Sequence, residues 1–134
     1  MKKFAWLLTF VIALSLVLSA CGAGATPTAA PVEKFRVAVV MPSSITDLAF
    51  SQSMYDALVR VQKDMGGPDK FEIVYSEGMF VVDDAAAAIR DYASKGYNLV
   101  IANGSQYGSS LQEIAPDFPN TSFAWGTTVD TFGQ

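Results

Sequence analysis

The 134-residue chain has no histidine and a single cysteine. Without histidine, Ser-His and Cys-His catalysis are excluded, as is any His-ligated metal built from this chain alone. With one cysteine there is no internal disulfide. Basic residues are few: nine Lys and Arg stand against thirteen Asp and Glu, for a net charge of −4. They are scattered and form no patch, so nucleic-acid binding has no electrostatic footing. No glycine-rich phosphate-cradling loop with its following Lys is present. Carboxylate chemistry stays open, with Asp47 or Glu77 as the groups a small exported hydrolase would use. Neither belongs to a paired-carboxylate motif, and the expectation is a protein that is not an enzyme and holds no cofactor or metal.

The one long apolar run is at the start. Lys2 and Lys3 precede Phe4 to Leu18, which only Thr9 and Ser15 interrupt. Its fifteen residues fall short of the ~20 that a membrane-spanning helix needs. A basic start, a short apolar core and small residues after it mark a secretory signal peptide. The sequence Leu18-Ser19-Ala20-Cys21 resembles the bacterial lipobox. The expectation is removal of residues 1–20 and lipidation of Cys21. That would tether the protein to the outer face of the cell membrane and take a lone thiol out of an oxidising compartment. Residues 21–34 then read as a linker, because Gly22 to Pro31 carry no charge and no bulky apolar side chain.

From Phe35 the pattern is that of a folded domain over 35–134. Phe35 to Met41 is a mostly apolar, β-branched run of the kind that is buried on both faces of a parallel sheet. Phe50, Met54, Leu58, Val61 and Met65 recur at helical spacing, and Gly66-Gly67-Pro68 ends the helix. Phe71 to Tyr75 is a second strand. Asp83 and Asp84 open a second helix as N-terminal charge, with Ala85, Ile89 and Tyr92 on one face and Gly96 as its C-cap. Asn98 to Ala102 is a third strand. Ser110 and Glu113 have capping-box spacing at the start of a third helix that Pro116 terminates. Thr121 to Trp125 is a fourth strand. Alternation of this kind means right-handed parallel crossovers and an α/β layered domain. The last ten residues, ending Phe132-Gly133-Gln134, read as the beginning of a connection.

In an open parallel sheet, ligands bind beyond the carboxyl ends of the strands. Three loops lie there: Pro42 to Ser51, Ser76 to Val82, and Asn103 to Ser109. Each mixes small polar residues with one aromatic, Phe50, Phe80 or Tyr107. Aromatic faces beside a few hydrogen-bonding groups suit ring-shaped small molecules. Each aromatic also has a packing reading, which for Phe80 is the preferred one, and Asp47 also reads as charge at the first helix's N-terminus. Phe50 and Tyr107 are expected to flank a ring ligand, with Asp47 and Ser51 hydrogen-bonding to it.

Two stretches resemble one family. Phe35 to Pro42, followed by Asp47-Leu-Ala-Phe50-Ser51-Gln52, is similar to the start of the basic membrane protein family, the substrate-binding lipoproteins of ABC importers best known for purine nucleosides. Lys95-Gly-Tyr-Asn-Leu-Val-Ile-Ala-Asn-Gly104, Tyr107, Leu111 to Ala115 and Phe118-Pro119 carry the second likeness. The resemblance implies an α/β, parallel-sheet, three-layer lobe of a type I periplasmic-binding-protein fold. Family members have two such lobes around a cleft, and this chain corresponds to the first. It further implies a nucleoside-like ligand, an ABC permease as partner, and contacts from Asp47, Phe50, Ser51, Gly104, Tyr107 and Ser109. Ser51 stands where the family usually has Asn, and Ser109 stands near a common acidic position. Both departures weaken the purine assignment more than the binding role. A lipoprotein that senses a ligand and signals to a membrane partner is the alternative.

Overall fold

The computed structural model describes residues 33–128. Residues 1–32, which take in the expected leader, Cys21 and most of the expected linker, and residues 129–134 lie outside the described residues. The elements are β1 Phe35–Val40, α1 Phe50–Asp64, β2 Phe71–Ser76, α2 Val82–Ser94, β3 Leu99–Asn103, α3 Gly108–Ile114 and β4 Ser122–Gly126. Short 3₁₀ turns, Ser105–Tyr107 and Ala115–Asp117, flank α3. The four strands form one parallel sheet in the order β2-β1-β3-β4. This is the alternating α/β architecture expected from the sequence.

The near-continuous apolar runs are explained by cover on both faces. Ala38, Val40, Val100 and Ala102 point to one side and pack with Ala85 and Ile89 of α2 and Leu111 and Ile114 of α3. Val37, Val39, Met41 and Phe71 point to the other and pack with Leu58 of α1. Three layers result, with β1 buried between them.

Helix α1 departs from the expected stripe at its end. Val61 and Met65 are exposed. After Met54 and Leu58, the next position over the sheet is Gln62, whose Nε2 donates to the Phe71 carbonyl at 2.7 Å. The polar residue satisfies a strand terminus that an apolar one would leave unpaired. The helix then stops at Gly66 and Gly67, both in the left-handed region (φ 97° and 92°), which glycine enters without steric cost. Helix α3 begins earlier than the Ser110 capping box suggests. Gly108 opens it, and no side chain caps it.

The amino end of the sheet is closed by polar contacts. The Arg36 backbone N–H donates to Asn98 Oδ1 at 2.7 Å, and its guanidinium lies 4.0 Å from the centre of the Tyr97 ring. Arg36 Nη1 donates to the Lys95 carbonyl, and the Tyr97 hydroxyl donates to Glu72. Thr121 donates to the Tyr97 carbonyl. Among the described residues no helix is long and apolar enough to cross a membrane.

Candidate ligand site at the carboxyl end of the sheet

The strand order reverses between β1 and β3, so the loops after these strands part there and open a crevice. The loop after β1 is organised by one carboxylate. Asp47 Oδ2 accepts from the Ser43 hydroxyl at 2.5 Å and the Ser51 N–H at 3.0 Å. Its Oδ1 accepts from the N–H groups of Ala49 at 2.8 Å and Gln52 at 3.1 Å. Asp47 thus satisfies the free amides of the first turn of α1. The Ser43 hydroxyl, followed by these amides, holds its carboxyl well below the usual carboxylate range. With the Ser43 proton directed at Asp47, Ser51 is the donor in the 2.7 Å hydroxyl pair with Ser43.

The loop after β2 begins on the edge strand and is drawn back over the centre. Glu77 Oε2 accepts from the Ile45 N–H at 2.8 Å and from Ser44 at 3.2 Å. The Met79 N–H donates to the Met41 carbonyl at the end of β1, at 2.9 Å. The Met79 carbonyl accepts from the Tyr107 hydroxyl at 2.6 Å. Met79 therefore bridges the loops after β1 and β3, across the point where the strand order reverses. Gly78, at φ 69°, makes the turn that allows it.

The loop after β3 is held from beneath. Trp125 Nε1 donates to the Gly104 carbonyl at 2.9 Å. Tyr107 has no exposed surface. Its ring lies where a Cβ on Gly104 would come within 2.7 Å of it. Burial pushes its hydroxyl up to about 12.

The six expected contact residues therefore divide. Asp47, Phe50 and Ser109 retain accessible surface, whereas Ser51, Gly104 and Tyr107 are buried. The expectation that Tyr107 offers a ring face to a ligand is corrected: both faces are packed, and its hydroxyl is committed to Met79. Ser51 is likewise committed to Ser43. The glycines at 104 and 108 on either side of Tyr107 were the available signal that its ring packs inward.

Three residues outside the expected contact set stand out. Phe80, read as packing, is 77% exposed, and Leu48 beside the α1 terminus is 90% exposed. Asn103, at the end of β3, is 2% exposed, and its Nδ2 has no partner. An asparagine closing an apolar strand just before a glycine was its signal. The Asn103 amide lies over Gly126, where a Cβ would sit 2.6 Å from Oδ1.

Residues 34–130 match the sequence pattern of the Bmp family, described as ABC transporter substrate-binding protein PnrA-like. The chain belongs to the Bmp family. A curated relative, the transcriptional activator protein med of Bacillus subtilis (strain 168), is 29% identical over 116 residues. That alignment takes in 87% of this chain and 34% of the relative, so the chain spans about a third of its length. A solved structure, an ABC transporter system solute-binding protein from Conexibacter woesei DSM 14684, matches with a TM-score of 0.59 and 24% identity. It covers 66% of this chain and 28% of that one, and it supports the fold of the Bmp lobe.

Proposed function

We propose that this Bmp-family chain captures a small ring-containing solute, nucleoside-like in size and polarity, for an ABC importer. The observation that carries the reading is the stitched loop platform at the strand reversal. Its two loop carboxylates and the Tyr107 hydroxyl are satisfied within the chain, yet it presents Leu48 and Phe80 to solvent. A preorganised surface of this kind spends little ordering entropy on binding. We read its use as non-covalent: the Ser43 hydroxyl does lie on Asp47, but that carboxyl is held well below the usual carboxylate range and is a weak proton acceptor. In this reading one lobe forms one wall of a cleft, and a second lobe would complete the burial of about 70–90% of the ligand surface. Asp47 shapes the first loop, and Phe50 and Ser109 remain available for contact. Cys21 carries the lipid that holds the protein at the outer face of the membrane. Intact-mass measurement of membrane-extracted protein tests the lipid, and an unmodified Cys21 refutes it.

The test of capture is mass spectrometry of small molecules released on denaturing the purified protein, followed by calorimetric titration with each. A ring-containing solute that rebinds saturably is expected. Recovery of none, with no heat from a panel of nucleosides, refutes the reading. A second reading, ligand sensing without transport, draws support from the name of the Bacillus subtilis relative, a transcriptional activator. Deleting the gene separates the two. Loss of labelled-adenosine uptake supports import, and altered transcription with uptake intact supports sensing.

A further inference from the structure

We infer that Phe80 is the side chain on which a planar ring stacks, and that buried Tyr107 acts as its positioning residue. The inference rests on the solute-binding reading above and names the contact through which this lobe would recognise its ligand.

Three observations carry it. Phe80 follows β2, the edge strand, yet the adjoining Met79 is bonded on one side to the end of β1 and on the other to Tyr107. The edge loop is thereby brought to the strand reversal, where ligands of open parallel sheets bind. Second, the backbone around Phe80 is fixed. Its N–H donates to the Gly78 carbonyl at 2.9 Å, and the Gly78 N–H reaches the Ser43 carbonyl at 3.4 Å. Third, the ring gains little from the fold. It is 77% exposed on a loop whose backbone is tied at four points, and Leu48 beyond it is 90% exposed. A large apolar ring held in water on a fixed loop has its favourable burial still to make. Tyr107 supplies no face of its own. Its hydroxyl fixes the Met79 carbonyl, one residue before Phe80. That makes it a support acting through another residue.

Saturation-transfer NMR on the 134-residue chain tests this, with adenosine as the planar-ring probe and free ribose as the control that has no aromatic ring. Saturation should fall most strongly on the adenine protons. Phe80→Ala should weaken adenosine binding about threefold to tenfold, the span expected of one aromatic stack. It should leave the melting temperature unchanged, because the side chain is exposed. Phe80→Tyr should restore binding to within about twofold. Tyr107→Phe keeps the ring and removes the bond to Met79. It should weaken adenosine binding in the natural chain but add nothing in the Phe80→Ala background, the non-additivity expected of a support. Additive losses overturn the positioning role of Tyr107. Equal adenosine affinity of Phe80→Ala and the natural chain overturns the stacking role and leaves solute binding intact. If the natural chain binds neither adenosine, cytidine nor indole, the stacking proposal and the solute-binding reading fall together.

Discussion

The two ends of the sheet are built from the same strands and finished in opposite ways. At the amino end, Arg36, Glu72, Tyr97, Asn98 and Thr121 satisfy one another, with the guanidinium lying over the Tyr97 ring. At the carboxyl end, Asp47, Glu77 and Tyr107 also spend their hydrogen bonds inside the chain, but on holding loops. The side chains those loops carry, Leu48 and Phe80, are left in water. One end uses its polar groups to close a surface. The other uses them to hold one open. On the proposed function, the binding face would be marked less by Asp47, Glu77 and Tyr107, which are occupied, than by the side chains that they leave uncovered.

The sharpest way to break this contrast is to remove the central support. Tyr107→Ala deletes a fully buried ring and orphans the Met79 carbonyl. A loss of about 3–5 kcal/mol is expected from large-to-small substitution in a core. Urea unfolding should read it as a lowered midpoint. A change below 1 kcal/mol would mean that the platform is held from elsewhere.

Acid should separate the ends next. Asp47 titrates far below its ordinary 3.8 when folded. Its contribution is therefore complete above that value and fades as pH falls below it toward the depressed folded value. Asp47→Asn should lower the melting temperature at pH 7 and flatten its fall between pH 4 and 2, compared with the natural chain. Parallel curves for the two proteins would show that the four hydrogen bonds to Asp47 carry no stability.

Much of this was legible beforehand, and the rest was not for reasons of packing. The strand runs were visible because Phe35 to Met41 and Asn98 to Ala102 are apolar without alternation, the mark of two covered faces. The strand edges shifted by one residue because Asn103 and Gly126 pair in the ladder despite their polarity and size. The Ser110 capping box failed because Gly108 gives α3 an earlier start. Cβ at that position would meet the Trp125 ring at 2.4 Å, so the helix begins where it can lie against β4. The three loops were located correctly by topology. Which side of each loop faces water depends on partners dozens of residues away. That is why Tyr107 and Phe80 exchanged their expected roles.

A smaller effect is expected at the amino end. Arg36→Leu removes the contact with the Tyr97 ring, the bond to Lys95 and the partly exposed ion pair with Glu72, but keeps the strand's apolar stem. The cation–π part of such a site is worth about 0.5–1 kcal/mol. Chemical unfolding should register roughly that loss, and adenosine binding should not change. Weakened binding would show that the two ends are coupled through the sheet. The smallest effect belongs to Arg90, which reaches Glu113 and Asp117 from α2 at 2.9 and 3.0 Å across exposed surface. Surface ion pairs of this sort contribute little and are screened by salt. Arg90→Gln should leave the melting temperature unmoved at 0.5 M NaCl, and a clear drop there would mark the α2–α3 clasp as structural.

The first strand among the described residues, β1, is an interior strand of the sheet, and this sets an order in time. Phe35 pairs with Phe71 on one side, and Val37 pairs with Leu99 on the other. Neither ladder returns any energy until the chain between has closed a long loop, so folding waits on distant sequence. During synthesis, β1 can find β2 first. It then keeps one row of amides and carbonyls unpaired until Leu99 to Asn103 has emerged. Through that interval Val37 to Met41 is an apolar strand with a free edge, the element most exposed to pairing with another chain.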